Sequence, residues 1–320
     1  MQSVAVQEFR SVALLFPGQG SQFAGMAQDL IRESPEAREL LERADDILGY
    51  SLSRVMAGDL GDELNRTVHT QPAVFVHSMA LLAALRSRYT FAPIVAAGHS
   101  LGEYSALCAA GVLEFGEALD IIRVRAEGMD NAQPLGTCAM AALIGPSRDD
   151  AKKIVDAHRG GQVLEAANFN APDQTVISGH VEAVNRVLEA VKEERRTRAV
   201  MLPVSSAFHT SLMEPAREAL KERLQKVSPA NAAFPVVANV NADFYPDSGN
   251  SIKDLLTEQV IRPVLWEDCV RTMQRSGASL FIEIGPGKVL TGLMKRIDRK
   301  APAMSISDLE TLRALEAPPQ

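Results

Sequence analysis

The sequence predicts an α/β fold: a large domain built on a mostly parallel sheet, with a smaller domain inserted into it. Three observations lead there. Short apolar runs at residues 12–16 (VALLF), 93–97 (PIVAA) and 279–284 (SLFIEI) read as buried strands. They alternate with longer stretches of 3.6-residue periodicity, such as 73–85 and 100–110, which read as helices rich in Ala and Leu. Such β/α alternation is what a parallel sheet covered by helices on both faces requires. The third observation is a segment that breaks the alternation.

That segment opens with a strand at 137–144. Ser147 then caps a helix running to about His158, because its hydroxyl can take a free N–H of the first turn. Two strands follow at 162–169 and 174–178, joined by a turn carrying Asn170, Pro172 and Asp173. Val181, Val184, Leu188 and Val191 mark one face of a second helix, and 198–204 closes the unit as a strand. The order β-α-β-β-α-β is the ferredoxin-like one. The expected division is therefore a large domain at 1–134 and 206–320 and a small one at 135–205.

Composition narrows the function. Lys and Arg number 33 against 40 Asp and Glu, a net charge of −7 over 320 residues. Such a balance is poor for sequence-independent nucleic-acid binding, which depends on neutralising phosphates. It fits a soluble cytoplasmic protein. The first ten residues lack the apolar stretch of a signal peptide, and no apolar run approaches the ~20 residues of a membrane span. Three cysteines without CxxC spacing suggest neither a disulfide framework nor a zinc site. No metal is expected.

The chemistry centres on Gly98-His99-Ser100-Leu101-Gly102. This is GxSxG, placed between a strand and a helix, the setting in which a sharp elbow lifts a serine oxygen above a sheet edge. The Leu101 N–H, one residue on, is then placed to hold an oxyanion. Serine is a weak nucleophile and needs a base. Of the six histidines, His209 sits best: it follows a strand, in a short loop before a helix at 212–224. His77 lies on an apolar helix face and reads as a core histidine. The loop Phe16-Pro17-Gly18-Gln19-Gly20-Ser21-Gln22 fails as a nucleotide loop, since Phe23 and Met26 stand where Gly and Lys are needed. Its alternative is a backbone-donor loop with Gln19 at the tip. Gly285-Pro286-Gly287-Lys288 reads as a tight turn. Arg123 and Arg125 point to different faces of one helix; spacing leaves open whether one turns inward or both are solvated.

Together these stretches resemble the malonyl-CoA:acyl-carrier-protein transacylases and the wider acyltransferase family of fatty-acid and polyketide synthesis. The matching segments are LLFPGQGSQ (14–22), TQPAVF (70–75), GHSLGEYSAL (98–107), NFNAPDQTVISG (168–179), AFHTSLMEPA (207–216) and IEIGPGKVLTGLMKRI (282–297). The resemblance implies an α/β-hydrolase-like large domain and a ping-pong transfer of malonyl from malonyl-CoA to acyl carrier protein. In it Ser100 is the nucleophile and His209 the base. The N–H groups of Gln19 and Leu101 form the oxyanion hole, and Arg125 pairs with the malonyl carboxylate. A backbone carbonyl at Gln259 orients the imidazole, Asn168 lines the site, and Phe208 disfavours an α-methyl group. It also implies a monomer without a cofactor. Lys288, Lys295 and Arg296 are candidates for contact with the acidic carrier. The alternative on the same scaffold is a hydrolase of acyl-carrier-protein esters or a serine esterase.

Overall fold

Every residue of the strand β1 (Val12–Phe16) is buried; Val12, Leu14 and Phe16 enter one apolar core, and Ala13 and Leu15 another. Successive side chains of a strand point to opposite faces, so a strand apolar throughout needs a core on each side. The computed structural model describes residues 11–192, 194, 196–204 and 206–315. The N-terminal stretch expected to carry no signal lies outside them.

The other strands among the described residues are β2 (Val95–Gly98), β3 (Cys138–Ile144), β4 (Leu164–Ala171), β5 (Gln174–His180), β6 (Arg198–Met201), β7 (Val236–Val237), β8 (Leu280–Ile284) and β9 (Ala303–Ile306). Five form a sheet in the order β7-β2-β1-β8-β9, with all neighbours parallel. Phe16 pairs with Gly98, so the loops after β1 and β2 leave the sheet side by side. The other four form an antiparallel sheet in the order β4-β5-β3-β6.

The second sheet comes wholly from the segment that breaks the β/α alternation. Ala139, Ala141 and Leu143 of β3 pack with Val155, Val184 and Val187 in a core of their own. Met140 and Ala142, on the opposite face, join the core of the parallel sheet. Backbone bonds from Phe169 N to Val264 O and from Val264 N to Ala167 O, both 2.9 Å, tie β4 to the segment just before the helix Trp266–Arg275. They hold Asn168 between them.

Several boundaries differ from the sequence reading. The helix expected from Ser100 begins at Gly102, because Ser100 has φ 51° and is not helical. β6 stops at Met201, shortly before Pro203, which has no N–H to continue a ladder. β7 has two residues, too few to show a pattern. The helix expected from Ala73 runs over Thr67–Arg86 and passes through Pro72. It is long and apolar enough to cross a membrane, yet it is buried in the large-domain core.

Three glycines allow the elbow to sit against β1. A Cβ on Gly98 would lie 1.8 Å from the Gly102 backbone; one on Gly102 would lie 2.0 Å from Phe16 O; one on Gly18 would lie 2.4 Å from His99 O. Each clash is with backbone and cannot be relieved by a rotamer change. Gly102→Ala is therefore expected to lower stability by about 3 kcal/mol or more, read as a fall of several degrees in the thermal midpoint. Gly292→Ala, inside the helix Val289–Ile297 with nothing within 4 Å, should instead hold or slightly raise the midpoint, since alanine is the better helix former by about 1 kcal/mol.

Candidate active site

Ser100 holds a left-handed backbone, which costs a non-glycine residue of order 1–3 kcal/mol. Side chains brought from far along the chain hold its peptide groups. Asn239 Oδ1 accepts from Ser100 N at 2.7 Å, and Asn239 Nδ2 donates to Gly98 O at 2.8 Å. On the other side, Gln259 Nε2 donates to Ser100 O at 2.8 Å. The elbow is thus clamped at both of its peptides.

His209 Nε2 lies 2.7 Å from Ser100 Oγ. His209 Nδ1 lies 2.8 Å from the carbonyl oxygen of Gln259. A carbonyl can only accept, so Nδ1 carries the proton and the Nε2 lone pair faces the serine. The serine hydroxyl therefore donates to the imidazole. Burial, with Arg125 adding to it, pushes the imidazole down to about 3 from its ordinary 6.5 and keeps it neutral. The five other histidines are engaged elsewhere. His69, His77 and His158 meet backbone carbonyls, His180 accepts from Val163 N, and His99 donates to Asn170 Oδ1 and packs on Trp266.

Arg125 turns inward and is 1 % exposed. Its Nη1 donates to Gln71 Oε1 at 2.6 Å; its Nη2 donates to Gln259 Oε1 and to Ser100 Oγ, both at 2.9 Å. Arg123, two residues earlier, pairs at the surface with Asp120 and Glu127. The two faces that spacing allowed are thus both used. Burial lowers the Arg125 guanidinium from its ordinary value, and an arginine still stays charged.

These groups open into a cavity of about 180 Å³. Gln19, Leu101, Asn168 and Phe208 all line it, as do Met140 and Val176 of the second sheet. Gln259, whose carbonyl the resemblance sets against the imidazole, is fully buried behind His209 and Arg125; grouped with the substrate-binding residues in the sequence reading, it does not line the cavity. It acts through them. Lys288 and Lys295 are exposed beside the lining residues Val289, Leu290 and Leu293, and Arg296 pairs with Asp173 at 2.8 Å. Among the described residues no group of three or more His, Cys, Asp or Glu side chains is disposed to hold a metal.

The sequence reading passed over Asn239, Glu103 and Gln71. Each carried a weak signal: a charged residue inside the apolar helix GEYSALCA, an amide just past the strand pair VV, and an amide before Pro72. None of these shows which groups it meets.

The acyl transferase domain family model matches residues 13–311. The chain is 42 % identical to the malonyl CoA-acyl carrier protein transacylase of Bacillus subtilis, over 94 % of this chain and 95 % of that protein. It is 41 % identical to the enzyme of that name from Escherichia coli strain K12, over 94 % and 97 %. The solved acyl-carrier-protein S-malonyltransferase of Burkholderia pseudomallei superposes with a TM-score of 0.91, at 40 % identity, over 96 % of this chain and all of that one. A malonyl-transacylase solved in complex with its type II PKS acyl-carrier protein superposes with a TM-score of 0.92, at 39 % identity, over 96 % and 99 %.

The neutral imidazole makes a pH prediction. His209 has an ordinary pKa near 6.5 when unfolded and about 3 when folded, so between these values the unfolded chain binds more protons. The stability tied to this group is complete above 6.5 and declines as the pH falls toward 3. From pH 7 to 5 the loss is about 2 kcal/mol. His209→Gln should show a correspondingly shallower decline in urea midpoints over that range.

Proposed function

The chain belongs to the acyl transferase family, and on that premise we propose that it moves a malonyl group from malonyl-CoA to the phosphopantetheine thiol of an acyl carrier protein. One observation carries the reading: a buried guanidinium hydrogen-bonds the nucleophilic oxygen itself. An arginine there has no use for a plain acyl chain. A malonyl group on Ser100 would bring its free carboxylate to that guanidinium, where bidentate pairing selects for it.

The steps follow from the geometry. Ser100 Oγ attacks the thioester carbonyl while His209 Nε2 takes the hydroxyl proton. The backbone N–H groups of Gln19 and Leu101 hold the oxyanion; one such donor is worth about 10²–10³ in rate. The C–S bond breaks, and the imidazolium returns its proton to the CoA sulfur. The carrier thiol then enters, gives its proton to His209 and takes the malonyl group, restoring Ser100. A carbonyl at Nδ1 suffices where a triad would place an acid, since the imidazole is charged only briefly. Phe208 fills space an α-methyl would need, a preference of about 1–3 kcal/mol. Asn168 reaches the same cavity from the small domain.

The order β4-β5-β3-β6 supports a ferredoxin-like insertion at 135–205. The elbow at the carboxyl end of a parallel strand supports an α/β-hydrolase-like domain formed by 1–134 and 206–320. The enzyme works as a cytoplasmic monomer and needs no cofactor beyond its thioester substrate. Lys288 and Lys295 form part of the surface met by the acidic carrier, a contact that steers encounter more than it adds affinity.

Labelled malonyl-CoA should leave one acyl group per chain on the Ser100 peptide, and none in Ser100→Ala. Rapid release of free malonate without carrier protein would instead mark a hydrolase. Arg125→Ala should lose malonyl loading by about 10²-fold or more and gain in relative activity on acetyl-CoA; unchanged selectivity removes Arg125 from this role. Lys288→Glu with Lys295→Glu should raise KM for the carrier protein and leave loading from malonyl-CoA unchanged.

A further inference from the structure

Glu103 is fully buried beneath the site, and the mechanism above gives it no task. It lies on the helix Gly102–Ala109, three residues after the nucleophile. Its carboxylate gathers three donors. Gln259 Nε2 reaches Oε2 at 2.6 Å, Asn239 N reaches both oxygens at 3.3 Å, and the Tyr245 hydroxyl meets Oε1. Every one of these partners donates, so the pocket is built for the ionised, acceptor-only form. The Gln259 amide bridges this carboxylate to Arg125, donating to one and accepting from the other.

Two of those partners are the clamps on the elbow. Asn239 fixes Ser100 N and Gly98 O; Gln259 fixes Ser100 O, and its own carbonyl orients His209. We propose that ionised Glu103 is the positioning residue that sets nucleophile, base and guanidinium in one frame, through Asn239 and Gln259. The inference rests on the acyl-transfer reading for its substrate and on the hydrogen-bond network for its claim. Glu103 touches no substrate. Its effect is geometric, and misplacement of a reacting pair by about 1 Å costs about 10²-fold in rate.

The charge state supplies a readout that general destabilisation would not move. Burial pushes the Glu103 carboxyl up to about 7, with Tyr245, Gln259, Asn239 and Arg125 opposing it. The titratable groups facing it are Arg125 from the helix Phe115–Asn131, Tyr104 from its own helix, Tyr245 after β7, and Cys269 from the helix Trp266–Arg275. Burial raises both tyrosines and the thiol, so none of the three ionises near 7. His209 stays neutral there.

The test is single-turnover acylation of Ser100 against pH, with malonyl-CoA and with a fluorophosphonate, which carries no malonyl carboxylate. In the unaltered enzyme both rates should rise with pH through about 7. Glu103→Gln should keep close to one reactive serine per chain, lower the per-site rate about 10²-fold with both reagents, and lose that limb. Glu103→Asp should recover part of the rate. Tyr245→Phe removes a donor to the ionised form and should move the limb to higher pH; it decides the matter alone if Glu103→Gln does not fold. A near-native per-site rate in Glu103→Gln, a limb that survives it, or a limb unmoved in Tyr245→Phe overturns the proposal. An unaltered enzyme that reacts with the fluorophosphonate but forms no malonyl-serine overturns the substrate reading and leaves this one standing.

Discussion

The left-handed backbone of Ser100 is the constraint on which the rest of the structure depends. It points the hydroxyl out of a turn too tight for any side chain at 98 or 102. A strained residue persists only where its surroundings over-determine it. Here both of its peptide groups are held by amide side chains, from Asn239 and from Gln259. The elbow is thus held by three segments far apart in the chain.

The same segments settle the buried charges. An arginine and a carboxylate far from water would each be costly alone. Gln259 stands between them, accepting from Arg125 and donating to Glu103. Both terminal nitrogens of Arg125 thereby have fixed acceptors, and the serine oxygen accepts from Arg125 while donating to His209. A site already hydrogen-bonded in this way needs little rearrangement when charge develops on the substrate, which is the source of most electrostatic catalysis.

The second sheet closes this arrangement from above. β3 uses one face for its own small core and turns the other toward the cavity. Backbone bonds through Val264 tie β4 to the segment just before the helix Trp266–Arg275, on either side of Asn168. The cavity is thus lined from both sheets, with Ser100 after β2 of the parallel sheet and His209 in the loop that follows β6.

Sequence by itself determined what local chemistry dictates. Apolar runs with helical stretches between them gave the parallel sheet, and the β-α-β-β-α-β order gave the second unit. GxSxG marked the elbow that carries Ser100, because only glycine tolerates the backbone contacts at 98 and 102. The position after a strand end picked out His209, which meets Ser100 Oγ. Tertiary structure alone showed by contact that Arg125 and not Arg123 turns inward, that the Gln259 side chain bridges Arg125 and Glu103, and that Asn239 holds the Ser100 peptide. The physical reason is distance along the chain. Asn239 and Gln259 lie 139 and 159 residues from Ser100. An amide or a carboxylate carries no periodicity that tells which donors will surround it once the strands are paired.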